Sequence, residues 1–155
     1  MEVEYCQKDS FSVIGKEGST YDGEGFIQKL WKDAKEHFGE VASLAKKDKQ
    51  GNYVGIWGVM TDFSRSFLPW QDNFAKGYYL AGIEVPDDAE APEGWTKWTM
   101  PATEYLYVKD SSMNTFSDTI QYMKEHQLQL VGAVYDYNSP KEQGQAYLYF
   151  PIKRL

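Results

Sequence analysis

Gly77-Tyr-Tyr-Leu-Ala-Gly-Ile-Glu-Val85 and Ala146-Tyr-Leu-Tyr-Phe-Pro-Ile152 decide the fold. Both are short, rich in aromatic and branched side chains, and bounded by polar turns, which marks them as strands. Tyr79-Leu80 in the first matches Tyr147-Leu148 in the second. Each follows a further strand, Tyr53-Val-Gly-Ile-Trp-Gly-Val-Met60 or Leu130-Val-Gly-Ala-Val-Tyr-Asp-Tyr137, in which Val54-Gly55 matches Val131-Gly132.

Upstream of each pair lie a helix and a strand. Phe26, Ile27, Leu30, Trp31, Ala34 and Phe38 form one apolar helical face, with Asp22 as N-cap and Gly39 as the stop. The strand before it is Phe11–Gly15, extending back toward Val3. In the second half, Trp95–Met100 leads through Pro101 to the strand Tyr105–Val108. A helix follows, N-capped by Asn114 and carrying Phe116, Ile120 and Met123. The turn Asn138–Gly144 joins the last two strands. Strand, helix, strand, strand thus occurs twice. The expectation is an α+β fold, a pseudo-two-fold duplication of a βαββ unit. It has an antiparallel sheet, two main helices on one face and a central ligand cavity. Residues 1–155 form a single domain with halves at about 1–86 and 95–155, since the acidic connector Pro86–Gly94 is too short to separate domains. The long Thr61–Lys76 connection carries Phe63, Phe67, Trp70 and Phe74 and reads as a packed lid.

Composition narrows the function. The 155 residues carry 16 basic and 23 acidic side chains, a net charge of −7, which disfavours direct nucleic-acid contact. One cysteine, Cys6, and two histidines, His37 and His126, exclude an internal disulfide and make a metal site improbable. No signal peptide or bilayer-spanning stretch is present, so a soluble cytoplasmic protein without membrane contact is expected. Nucleophile elbow, phosphate loop, dinucleotide fingerprint and zinc-helix motifs are all absent. No cofactor is expected, and no catalytic residue can be named.

The unusual number is aromatic: 12 Tyr, 5 Trp and 8 Phe, 16% of the chain. Strand alternation places Tyr78, Leu80, Gly82 and Glu84 on one face and Tyr79, Ala81, Ile83 and Val85 on the other. Likewise, Asp136 shares a face with Val134 while Tyr135 and Tyr137 share the opposite one. Carboxylates among aromatic rings in both halves, lining a groove between them, would attract a cation or planar amphiphile. Trp31 reads as core. The candidate ligand-binding residues are Asp136, Glu84, Tyr137, Tyr135, Trp57, Tyr79 and Tyr147. Because faces alternate, they do not all face one cavity, and the Asp136 face comes first.

The doubled βαββ order, the Tyr79–Val85, Gly132–Tyr137 and Tyr147–Ile152 segments together resemble the GyrI-like small-molecule-binding domain. That domain is also the effector-binding domain of AraC- and MerR-type bacterial regulators. The resemblance spans essentially the whole chain. It implies a central cavity in which an acid on the penultimate strand, followed by an aromatic, recognises cations. Asp136 and Tyr137 occupy those positions, with aspartate in place of the family's glutamate; Glu84 is the weaker counterpart in the first half. With the first strand near Met1, the chain resembles stand-alone members that lack a helix-turn-helix module.

Three functions follow. The first is binding of a small hydrophobic, aromatic or cationic ligand, for sensing or sequestration. The second, implied by related members, is hydrolysis of cyclopropanoid DNA-alkylating natural products, with a carboxylate as general base. The third is a gyrase-inhibitor-like protein interaction, with the Thr61–Lys76 segment as the contact. Binding ranks first.

Overall fold

The computed structural model describes residues 1–140, 142 and 144–155. Eight strands form one antiparallel sheet: β1 (Glu4–Lys8), β2 (Phe11–Ser19), β3 (Ile56–Thr61), β4 (Tyr78–Val85), β5 (Thr96–Met100), β6 (Thr103–Lys109), β7 (Tyr135–Asn138) and β8 (Ala146–Arg154). Their spatial order is β1-β6-β8-β7-β3-β4-β2-β5. Helix α1 spans Phe26–His37, a short turn α2 spans Gln71–Phe74, and α3 spans Thr115–Glu125. The inner order β6-β8-β7 against β3-β4-β2 is consistent with two βαββ units meeting at the β3–β7 pair.

The sheet cannot be flat. Strands β1 and β2 are joined by Asp9 and Ser10 alone, yet stand six positions apart in the sheet. At ~4.8 Å per strand that is about 29 Å, against about 11 Å of reach for the link. Pro101 and Ala102 impose the same closure between β5 and β6. The sheet therefore curls until its edges approach. The inside of the curl is the face where Phe11 of β2 reaches Tyr135 of β7, ring centroids 6.4 Å apart. That concave face is filled by Phe11, Val13, Trp57, Leu80, Trp98 and Tyr135 with their neighbours.

Both long helices cover the convex face. Phe26, Ile27, Leu30, Trp31 and Ala34 of α1 pack on Tyr79 and Ala81. Phe116, Ile120 and Met123 of α3 pack on Leu106, Val108, Leu148 and Phe150. Strand β4 is consequently buried on both sides over all but its first residue.

Several boundaries differ from the sequence reading. The first strand is two strands, β1 at one edge of the sheet order and β2 next to the other edge. Helix α1 begins at Phe26, because Gly23 (φ 97°) and Gly25 (φ 77°) interrupt the chain first. Asp22 instead closes a capping box with Ser19 around the 3-10 turn Thr20–Asp22. At its other end, Phe38 is the C-cap and a further 3-10 turn runs through Gly39. Strand β7 starts only at Tyr135. Ahead of it, Val131 N–H bonds to Pro151 O, and Gly132 lies so close to the Phe67 carbonyl that a Cβ would stand 2.9 Å away. Asn114 does occupy the α3 N-cap position, but its side chain makes no cap bond. In the Asn138–Gly144 turn, Lys141 and Gln143 lie outside the described residues.

Candidate functional site

The middle of the convex face, between α1 and α3, holds an acid. The β3–β7 register sets Gly58 opposite Asp136, and the β3–β4 register sets Gly58 opposite Ala81 and Met60 opposite Tyr79. Tyr79 and Asp136 therefore share the helix-covered face, one strand to either side of Gly58. The Tyr79 hydroxyl donates to Asp136 Oδ2 at 2.9 Å and accepts from Trp31 Nε1, also at 2.9 Å. A Cβ on residue 58 would stand 1.9 Å from the Tyr79 hydroxyl, so only glycine leaves room for this contact.

Asp136 lines a cavity of about 270 Å³ with Met60, Trp70, Phe74, Phe116, Ala133, Val134 and Leu148. Every wall except the acid is apolar or aromatic, and the Trp70 N–H is already given to the Tyr78 carbonyl at 3.0 Å. Burial pushes the Asp136 carboxyl up to about 6 against the opposing hydrogen bond from Tyr79; Asp110 pushes it the same way as burial. The Tyr79 hydroxyl is itself raised well above its usual value, by burial and by the facing carboxylate. This is an acid poised to gain or lose a proton near neutrality.

The Thr61–Lys76 segment builds the cavity's outer wall. Asp62, 4% exposed, gathers hydrogen bonds from Thr61, Ser64, Ser66 and Leu68. Burial would raise its carboxyl, but those bonds outweigh burial and hold it below the usual range. Arg65 forks onto Glu17 at 2.8 and 2.9 Å and stacks on Tyr78, 4.1 Å from its ring centre. Arg154 donates to the Phe67 carbonyl. Past these anchors the chain turns through Asp72, Asn73 and Phe74, all with φ between 52° and 66°, setting Phe74 edge-on to Phe116 at 5.3 Å.

Of the seven residues expected to contact ligand, the structure brings two together here, Asp136 and Tyr79. The other five, Glu84, Trp57, Tyr135, Tyr137 and Tyr147, lie on the concave face. The two acids therefore do not share a groove: β3 and β4 pair so that Trp57 faces Gly82 and Glu84, on the side opposite Asp136. Glu84, 2% exposed, accepts from Trp57 Nε1 at 2.9 Å and sits 3.6 Å from both Lys8 and Lys46. Tyr135 is buried; Tyr137 donates to the Val54 carbonyl and Tyr147 to Glu142, each at 3.2 Å. Cys6 is half-buried beside that aromatic layer. His37 and His126 each sit at a helix end against a backbone carbonyl four residues earlier. The cavity walls Met60, Phe116 and Leu148 escaped the sequence reading; strand alternation put Val134 on the Asp136 face, and the aromatic content of Thr61–Lys76 signalled Trp70 and Phe74.

Among the described residues no group of three His, Cys, Asp or Glu could hold a metal ion, and no helix is long and apolar enough to cross a membrane. No family model matches the sequence, and no curated protein does. Solved structures do match. SAV2435 bound to tetraphenylphosphonium is 16% identical, with a TM-score of 0.66 over 99% of this chain and 94% of that one. The EcmrR C-terminal domain is 11% identical, TM-score 0.65, over 99% and 98%; in the EcmrR–DNA complex this chain spans 58% of the matched chain. A hydrolase from Listeria innocua is 12% identical, TM-score 0.57, over 98% and 92%. The chain has the GyrI-like, MerR-type effector-binding fold.

Proposed function

We propose that the chain is a binding module for small hydrophobic cations, built from two fused βαββ halves in residues 1–155, with the ligand between α1 and α3. One observation carries this: among the described residues that line the cavity, Asp136 is the sole ionisable one, in otherwise apolar and aromatic walls. A half-buried carboxylate there has only part of the water that would stabilise it, and a cation restores the rest while the rings bury its apolar body. The shared fold with a structure holding a phosphonium cation supports the same reading. Calorimetric titration with aromatic monocations, against a neutral alcohol of the same shape, tests it. Cations are expected to bind the wild type and to weaken at least tenfold in Asp136→Asn. Equal binding of the neutral alcohol, or unchanged binding in the variant, rejects the reading.

A second reading is hydrolysis, with Asp136 as general base on water. Its support is a carboxyl near 6 and the fold shared with a hydrolase. It is weaker, because no second polar side chain lines the cavity to steady a developing charge. Mass spectrometry of a cyclopropanoid alkylating compound after incubation decides: turnover supports hydrolysis, stoichiometric retention of the intact compound by the protein supports binding.

A further inference from the structure

We infer that the cavity selects a protonated primary or secondary amine carrying one compact aromatic group, over a permanent onium ion of equal charge. This rests on the cation-binding reading above and adds the hydrogen-bonding character of the ligand.

The hydrogen-bond inventory leads there. Asp136 Oδ2 is taken by the Tyr79 hydroxyl, whose oxygen is in turn taken by Trp31 Nε1. Asp136 Oδ1 accepts no hydrogen bond from a described residue. The Trp70 N–H belongs to the Tyr78 carbonyl, and Met60, Phe74, Phe116, Ala133, Val134 and Leu148 have no N–H or O–H in their side chains. The walls thus present a charged acceptor and no free side-chain donor. An ammonium N–H answers both properties at once, forming a short charge-assisted bond to Oδ1. A quaternary onium supplies charge alone: it covers the half-buried Oδ1 and displaces water from it without returning a hydrogen bond, which is the costly arrangement.

Size points the same way. At about 270 Å³ the cavity lies just under the ~300–1,000 Å³ usual for drug-sized ligands, which suits one ring system on a short amine tail. Phe74 and Phe116, edge-to-face at 5.3 Å, give that ring aromatic partners.

The test compares 2-phenylethylamine with its N,N,N-trimethyl derivative, which keeps ring and charge and removes every N–H donor. Both are titrated calorimetrically into the full chain at pH 7.5, with tetraphenylphosphonium as the bulky onium. The amine is expected to bind at least tenfold tighter than its trimethyl form, and Asp136→Asn to erase that gap. Equal or tighter binding of either onium, still dependent on Asp136, overturns the amine preference and leaves the cation reading standing. Absence of Asp136-dependent binding by all three overturns both. The wild-type comparison stands even if the variant does not fold.

Discussion

Tyr79 and Asp136 come from opposite halves of the chain and meet across β3, hydroxyl to carboxylate at 2.9 Å over a glycine. The contact extends through Trp31 into α1, so helix position, sheet centre and cavity acid form one hydrogen-bonded chain. All three side chains are already paired before a ligand enters. The network holds the carboxylate in place, which is the preorganisation the proposed cation site needs.

Tyr79→Phe removes both bonds while keeping the ring packed. Trp31 Nε1 and Asp136 Oδ2 then lose their partners, costing about 1–3 kcal/mol of stability. Because the Tyr79 bond opposes the effect of burial, the Asp136 carboxyl should rise further above about 6. Urea denaturation and a carboxyl-carbon NMR titration report the two effects separately. An unmoved titration would show that the hydroxyl does not hold the acid.

Asp136 also makes stability fall as pH rises. Its folded value, about 6, lies above the ordinary 3.8, so between those values the folded chain holds a proton that the unfolded chain has released. The contribution is fully present below pH ~4, declines through the folded value and is gone above it. Two pH units correspond to about 3 kcal/mol as an upper bound. Asp136→Asn removes the effect, so the wild type minus variant difference should shift against the wild type between pH 4 and pH 7. A pH-independent difference would place the carboxyl in ordinary water.

Much of this was legible in the sequence, and the missing part has one cause. Alternation along β4 already set Tyr79 opposite Glu84, and alternation along β7 set Asp136 opposite Tyr135 and Tyr137. What no single strand states is which face of β7 continues which face of β4. That depends on β3 standing between them with Gly58 opposite Asp136, a register fixed by long-range pairing. The Leu130–Val134 run reads as strand because it is apolar; that apolar character serves packing rather than a ladder, Val134 and Leu130 joining the cluster under α3 and Ala133 the concave core. The curl was likewise hidden, since it follows from two-residue links between strands whose places in the sheet were unknown.

The two acids should separate cleanly in experiment. Glu84 serves the concave face, held by Trp57, Lys8 and Lys46. Glu84→Gln keeps an acceptor for the indole and should leave cation affinity within about twofold, the size of a small indirect effect. Trp57→Phe leaves the buried carboxylate without its donor and should cost about 1–3 kcal/mol with affinity again preserved. Titrating both variants with an aromatic amine, beside thermal melts, checks the assignment. A tenfold loss of affinity in Glu84→Gln would move the site to the concave face.

Gly58→Ala probes the centre with one methyl group. The new Cβ would lie 1.9 Å from the Tyr79 hydroxyl, 2.6 Å from its ring carbon and 3.1 Å from Asp136 Oδ2. None of these neighbours is a free chain end: the Tyr79 ring is fully buried, with Phe26 and Trp31 edge-on at 6.5 Å. Either the ring moves, breaking both of its bonds, or β3 shifts against β4. Overpacking of this kind costs about 1–3 kcal/mol. Binding at the proposed amine site should fail with it, because Asp136 loses its fixed orientation. Tryptophan emission should report the released Trp31, and calorimetry the lost binding. If Gly58→Ala melts and binds like the wild type, the hydrogen-bonded chain from Trp31 to Asp136 is not what holds the acid.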